Sequence, residues 1–558
     1  MHKPRPRLLA TLTAAAVLGA TVFLIGSRAA TPDRAWITVL STTDLHGNIL
    51  PVDYYADRPD ARGLAKVATL VRQVRRENPG GTLLVDSGDT IQGTPLAYVH
   101  NRRNNAPVDP MMLAMNAVGF DAMAIGNHEY NFGLPVLEKA RREATFPWLS
   151  ANSYRVKSQA SPYQPFVVKV VHGVRVGILG LTTPGIPSWE NPGNYAGLEF
   201  RNPVAEAARW VRHLRERERV DLVVVAAHTG VEEDLTTGEA FPAQVAHENT
   251  ALALARQVPG IDLLLMGHTH RDVPGLTVNG VSLLQADAWG RRLGRADIVL
   301  TRGRNGRWQK ASTQLRTLPV TDATPADPEV TRLAEPYDRE TRAWLAQPVG
   351  QSAEDLSARD GYFRDTAILD LIHRVQLDVG QADVSMVANF NTRARLPKGT
   401  VTVRDIAGLY IYENTLVVLE VTGRQLREAL EHSARFFGPY TPGTTPAAQI
   451  DERIPGFNFD MAEGVTYDLD ITRPAGDRVQ NLRFQGHPLD PARTLRLATN
   501  NYRVNGGGGY RMYAGAREVY RSSDEIRELI IDWVERHRQV PTAPTGNWRL
   551  LAGGPPPP

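Results

Sequence analysis

The sequence predicts a two-domain α/β protein whose first domain carries its chemistry at the carboxyl ends of buried strands. Three observations lead there. A chain of 558 residues exceeds what one ordinary hydrophobic core organises. From about residue 35 to 318, short apolar runs alternate with amphipathic stretches, the pattern of strands covered by helices. The Asp, Asn and His residues of that region stand directly after the apolar runs, where α/β sheets gather their ligands.

The N-terminal segment comes first. His2, Lys3, Arg5 and Arg7 precede an apolar run over 8–25 and then Ser27-Arg28-Ala29-Ala30, which reads as a secretory signal over residues 1–30 of an exported, periplasmic or cell-surface protein. The run is also long enough for an uncleaved membrane anchor; its Ala and Thr content favours cleavage near Ala29 or Ala30, which leaves no membrane attachment. The chain has no cysteine, which excludes a lipidated N-terminal Cys, disulfides and thiolate metal ligands. Runs at 37–40, 83–85, 174–181, 222–226 and 263–266 read as buried strands, with helices at 64–76 and 204–218, in a first domain over 35–318. Residues 322–348 are charged and helical through 333–345, an interdomain helix. A second unit over 350–552 shows helices at 366–377 and 423–436 and strands at 415–421 and 494–499. The closing residues 553–558 are Gly-Gly-Pro-Pro-Pro-Pro, a low-complexity tail expected to be disordered. Hydrophobic content of 42% and charged content of 22% fit a soluble globular protein. A net charge of +3 with mixed signs argues against a nucleic-acid polymer as partner.

Five short motifs carry chemistry. In Thr43-Asp44-Leu45-His46-Gly47-Asn48, Asp44 and His46 can face one cation where the backbone turns at a strand end. A hydrogen-bonded loop explains that motif equally well when it stands alone. Asp86-Ser87-Gly88-Asp89 puts Asp89 where a carboxylate can bridge two ions, with Asp86 supporting the loop. Gly126-Asn127-His128-Glu129 offers a neutral carbonyl oxygen at Asn127, suited to a cation already surrounded by carboxylates. Ala227-His228-Thr229-Gly230 and Gly267-His268-Thr269-His270 follow further strand-like runs. Two imidazoles side by side at a sheet edge repel when charged and waste burial when neutral, unless something binds them. Together the five motifs point to a metal centre. Its all-oxygen and nitrogen donors suit Mn, Zn, Fe, Co or Mg.

In this order the motifs resemble those of the calcineurin-like metallophosphoesterases, and nearly the whole mature chain is similar to the 5′-nucleotidase family. The resemblance implies a four-layer α/β/β/α catalytic domain joined by a helix to a C-terminal α/β nucleotide-binding domain. It implies one divalent ion on Asp44, His46, Asp89 and His270, and a second on Asp89, Asn127, His228 and His268. Ions roughly 3.5–4 Å apart would share a hydroxide that attacks phosphorus in line. His128 would stand beside the phosphate, stabilising the transition state or protonating the leaving group, rather than ligate metal. Asn500-Asn501-Tyr502-Arg503, the glycines at 506–509 and Tyr510 resemble the family's base-binding loop. Tyr502 and Phe457 would stack on the base, a contact worth about 1–3 kcal/mol; each is as readily a core aromatic. Arg393, after Asn389-Phe390-Asn391-Thr392, is a weaker match to a phosphate-clamping arginine.

Two departures narrow the branch. Asn131 stands where many 5′-nucleotidases carry an Asp beside the catalytic His, and it can orient His128 without supplying charge. Gly508 also replaces an Asp. Both resemble the 2′,3′-cyclic-nucleotide 2′-phosphodiesterase/3′-nucleotidase branch, as do Val52-Asp53-Tyr54-Tyr55, residues 409–416, Asn458-Phe459-Asp460 and Gly546-Asn547-Trp548-Arg549-Leu550. Nucleoside 2′,3′-cyclic phosphates and 3′-nucleotides are therefore the expected substrates. The rivals are a 5′-nucleotidase or nucleotide-sugar hydrolase with the same metals, a binding protein without catalysis, and a thiosulfate-ester hydrolase. Intact metal motifs oppose the second, and the stacking aromatics oppose the third.

Overall fold

The computed structural model describes residues 33–233, 245–412 and 414–552. The signal-like segment over 1–30 and the tail over 553–558 lie outside the described residues. Among the described residues, no helix is long and apolar enough to cross a membrane.

Two six-stranded sheets build the N-terminal half. The first runs in the order Trp308–Pro319, Arg292–Arg302, Arg34–Thr42, Thr82–Asp86, Ala122–Ala124 and Trp148–Leu149. The second runs Asp272–Val278, Val281–Ala286, Leu263–Met266, Leu222–Ala227, Val174–Leu181 and Phe166–Val171. Strand periodicity explains the continuous apolar runs. Ile37, Val39, Val85, Val224 and Leu265 point into a core shared by the two sheets. Leu40 and Leu84 face the helices Leu64–Glu77 and Pro110–Val118 on one outer side. Val223, Val225 and Met266 face Pro203–Glu216 and Ala251–Gln257 on the other. Both faces of each sheet are covered, so side chains of either parity are apolar. The layers are α/β/β/α.

The central strands are parallel. Thr42 pairs with Asp86 in the first sheet, and Ala227 pairs with both Leu181 and Met266 in the second. Their carboxyl ends therefore meet along one edge of the sandwich, and the five motifs follow those ends. The antiparallel strands Arg292–Arg302 and Trp308–Pro319 escaped the sequence reading. The outer one is half exposed and interrupted by Lys and Arg, which hides its alternation.

The C-terminal half is built on a five-stranded sheet, Asp460–Glu463, Val384–Ala388, Thr494–Asn500, Thr415–Thr422 and Arg517–Glu525, packed against the helices Ala367–Gly380 and Gly423–Ser433. A four-stranded sheet beside it ends on Trp548–Leu551, paired parallel with Val465–Asp470. Between the halves runs the helix Pro328–Leu345, started by Asp327, whose carboxylate accepts from the Glu329 and Val330 amides. Pro336 removes one donor inside it, but burial of Val330, Ala334, Trp344 and Leu345 holds the helix together. Trp344 stacks on Tyr98 at 5.3 Å, and Asp57 joins Arg342 of this helix to Arg404 of the C-terminal half.

Candidate metal centre

Two loops are stapled together before any ligand is placed. Glu129, fully buried, accepts amide hydrogens from Asp89 (2.9 Å), Thr90 (2.5 Å) and Gly126 (2.7 Å). Asp86 accepts from Thr42 Oγ1 at 2.6 Å and from the Gly88 amide at 2.7 Å. Gly88 and Gly126 let the loops touch backbone to backbone, since a Cβ on Gly88 would lie 2.5 Å from the Gly126 nitrogen. Asp89, Asn127 and His128 are thereby held side by side.

Seven candidate ligands converge there. Asp44, His46 and His270 form one group and Asp89, His228 and His268 another, the donor atoms of each lying within 4.8 Å of one another. His46 Nε2 is 3.0 Å from His270 Nε2, and His270 Nε2 is 3.3 Å from Asp44 Oδ1. Asp89 Oδ2 reaches toward both groups, 2.9 Å from His228 Nε2 and 3.9 Å from His46 Nε2. The ring nitrogens facing away are tied down. His46 Nδ1 meets the Gln92 carbonyl at 3.1 Å, and His228 Nδ1 meets the Ser87 carbonyl at 2.8 Å. A carbonyl accepts only, so each Nδ1 carries a hydrogen and each Nε2 is the ring atom turned inward.

The residues fit a metal. Asn127 Oδ1 and His228 Nε2 are buried without a hydrogen-bond partner, despite the short approach of His228 to Asp89. Unpaired buried polar atoms are costly, and a cation between them removes the cost. Asp44, His46, Asp89, His268 and His270 also hold φ between 47° and 71°, a region uncommon for non-glycine residues. Burial pushes His46 down to about 4, with His270 adding to the fall, which leaves a neutral ligand. Burial opposes a charge on His228, yet Asp89 outweighs it and lifts that ring to about 10. The carboxylates call for positive charge at this point.

Next to the ligands lies a cavity of about 310 Å³ whose wall includes Asn127, His128, Asn131 and His268 from one half and Phe457 and Tyr502 from the other. His128 Nδ1 is 2.6 Å from Asn131 Oδ1. Arg393 faces instead a neighbouring cavity of about 620 Å³, which it shares with His46, His128, His270 and Trp289. A buried Arg503 organises the aromatic side: it pairs with Asp460 through two 2.8 Å bonds and also donates to the Phe457 carbonyl. Gly508 has φ 70°, and a Cβ there would lie 2.5 Å from Asn458 Oδ1 and 2.6 Å from Arg503 Nη1, so a side chain here would have to displace these groups.

Four participants were missed from sequence. Glu129 had a readable signal, as the last residue of its motif. Phe390 and Tyr412, which also line the smaller cavity, lie inside motif segments without distinguishing themselves. Glu190 follows no motif. It is buried, receives the Asn131 amide nitrogen at 2.7 Å, and borders the same cavity. Burial raises its carboxyl, against hydrogen bonds from Asn191 and Asn194.

Comparisons with known proteins agree with this architecture. The family described as calcineurin-like phosphoesterase matches residues 37–272, and the 5′-nucleotidase C-terminal domain matches 348–515. A 2′,3′-cyclic-nucleotide 2′-phosphodiesterase/3′-nucleotidase of Salmonella typhimurium is 30% identical over 99% of this chain and 92% of its own. The protein of that description from Haemophilus influenzae is 30% identical over 92% and 87%. The solved structure of a putative 5′-nucleotidase from Staphylococcus aureus superposes with a TM-score of 0.82 at 27% identity, covering 93% of this chain and all of that one. The chain therefore belongs to the calcineurin-like phosphoesterases that carry a 5′-nucleotidase C-terminal domain.

Proposed function

We propose that the protein hydrolyses nucleoside 2′,3′-cyclic phosphates to 3′-nucleotides, and 3′-nucleotides to nucleoside and phosphate. The observation that carries this is the cavity in which Asn127, His128 and His268 face Phe457 and Tyr502: a phosphoester at the ligands has room for its base between the aromatics. The relatives of that description, 30% identical over most of both chains, support the choice of ester. In this reading 35–318 is the catalytic domain, 322–348 the connecting helix and 350–552 the substrate-binding domain.

Asp44, His46, Asp89 and His270 would hold one divalent ion, and Asp89, Asn127, His228 and His268 a second. Such ions supply Lewis-acid charge to the phosphoryl oxygens and ease deprotonation of the attacking water. His128 presents Nε2 to the reacting phosphate, because its Nδ1 is engaged by Asn131. When Nε2 carries a second proton, it donates a hydrogen bond to a phosphoryl oxygen or gives that proton to the departing sugar oxygen. In the first step water adds to phosphorus and the bond to O2′ breaks, so O2′ leaves as a hydroxyl. In the second, water adds again and the bond to O3′ breaks, releasing phosphate. Phe457 and Tyr502 hold the base with tolerance for its identity.

Steady-state kinetics on 2′,3′-cyclic AMP, 3′-AMP and 5′-AMP test the assignment. The first two are expected to have the higher kcat/KM; a preference for 5′-AMP would establish the 5′-nucleotidase alternative instead. Export through residues 1–30 belongs to the same proposal. N-terminal sequencing of the exported protein is expected to start near Ala30 or Thr31, whereas an intact Met1 means an anchor.

A further inference from the structure

We infer that Glu190 is a positioning residue that sets the tautomer of His128 through the side-chain amide of Asn131. The inference rests on reading His128 as the residue beside the reacting phosphate. The three side chains form a chain across 2.6 Å from His128 Nδ1 to Asn131 Oδ1 and 2.7 Å from Asn131 Nδ2 to Glu190 Oε2. The second carboxylate oxygen, Oε1, accepts from the Asn191 amide at 2.6 Å and from Asn194 Nδ2 at 3.0 Å. Every partner of Glu190 is thus a donor, as an ionised carboxylate requires.

That has a directional consequence. An asparagine amide can turn over, exchanging its oxygen and nitrogen. A carboxylate accepts only, so Glu190 holds Nδ2 on its own side and Oδ1 on the side of His128. Oδ1 accepts only as well. His128 must therefore carry hydrogen on Nδ1, and Nε2 is the ring atom that exchanges a proton with substrate oxygen. Asn131 itself is anchored, because its main-chain carbonyl accepts from Asn194 Nδ2 at 2.9 Å. The arrangement fixes through two residues the ring orientation that a carboxylate at position 131 would fix directly.

It also explains why such a carboxylate is absent. With Glu190 in place, Asn131→Asp would set two carboxylate oxygens 2.7 Å apart inside the protein, and like charges that close cannot both ionise. The device extends to the substrate-binding half, since Asn501 Nδ2 donates to the carbonyl of Trp189, next to Glu190 in the chain.

The glutamine of Glu190→Gln cannot accept on both sides. Its oxygen is held by the Asn191 backbone amide, which cannot turn, so its nitrogen faces Asn131 and turns that amide over. Nδ2 of Asn131 then faces His128, whose Nδ1 must accept, and the hydrogen moves to Nε2. In the double variant Asn131→Asp/Glu190→Gln, the glutamine donates to the new carboxylate, which again accepts from His128 Nδ1–H.

The test is ¹⁵N NMR of histidine-labelled full-length protein loaded with Zn²⁺, at a pH where the ring is neutral, with His128 assigned by its loss in His128→Asn. The wild type is expected to show Nδ1–H, Glu190→Gln to show Nε2–H, and the double variant to return to Nδ1–H. Turnover is expected to fall about 100-fold in Glu190→Gln at unchanged KM and to recover to within about 3-fold in the double variant. An unchanged tautomer in Glu190→Gln, or a double variant no better than the single, overturns the inference. The tautomer is read without substrate, so it stands or falls separately from the choice of ester, and recovery in the double variant distinguishes a changed tautomer from a lost fold.

Discussion

Backbone at the metal centre is held where ordinary side chains do not settle, with Asp44, His46, Asp89, His268 and His270 all in left-handed conformations. Such strain persists only where the surrounding structure over-determines it: Glu129 accepts from the Asp89 amide, the Asp44 and His46 amides donate to the Gly88 and Asp89 carbonyls, and the His268 amide donates to Asp44. Asp89 has the widest reach, with Oδ2 approaching His228 and His46 and Oδ1 accepting the His128 amide at 2.8 Å. Asp89→Ala is therefore expected to reduce bound metal at both sites, read as metal-to-protein ratio by elemental analysis. A variant that keeps one ion at full occupancy would remove the bridging role. His128→Ala is expected to retain metal while kcat falls by about 10²–10⁴, because its ring meets Asn131 and the cavity; metal loss in that variant would make it a ligand. These residues were legible because each ligand-type side chain directly follows an apolar run. Glu190 was not, since it lies 59 positions from its partner Asn131 in a segment with no periodicity.

Secondary elements present these residues through packing that the sequence discloses unevenly. Strands buried on both faces, such as Leu222–Ala227 and Leu263–Met266, announce themselves as unbroken apolar runs. The edge strand Trp308–Pro319 does not, because it is half exposed and carries polar and charged residues. On the aromatic side, Arg503 and Asp460 are almost wholly buried and bonded to each other. Truncating one partner leaves the other charge buried and unpaired, at a cost of about 3–5 kcal/mol. Arg503→Ala is expected to lower the unfolding midpoint in urea and to raise KM by freeing Phe457, with metal content unchanged. A second element-level prediction concerns acid. His373, in the helix Ala367–Gly380, is buried with Nδ1 2.9 Å from Ser385 Oγ, and burial pulls it down to about 3. Below about pH 6.5 the unfolded chain binds a proton here that the native chain refuses. Stability present above that pH is thus lost as pH falls toward 3, by up to about 1.4 kcal/mol per pH unit. Urea titrations at pH 7 and pH 5 are expected to show a smaller decline in His373→Gln than in the wild type; equal declines would contradict the assignment.

Over the whole molecule, the proposed function depends on an encounter between the two halves. His128 and Asn131 meet Phe457 and Tyr502 across one cavity, although more than three hundred residues separate them in sequence. No local pattern encodes that encounter, and only the resemblance of the full chain to a known family anticipated it. The order of the metal motifs, by contrast, was legible without any structure, because parallel strands bring their carboxyl ends to one edge. Arg393, matched to the family as a clamp on the substrate phosphate, borders the larger cavity together with His46, His128 and His270. The claim that the two halves together select a 2′,3′-cyclic phosphate and then its 3′-monoester is tested most directly by ³¹P NMR of a single reaction, with 2′,3′-cyclic AMP, protein and added Mn-free divalent metal. The account predicts that 3′-AMP rises and then falls as inorganic phosphate accumulates. Accumulation of 2′-AMP, or an untouched cyclic diester beside rapid cleavage of added 5′-AMP, would contradict it.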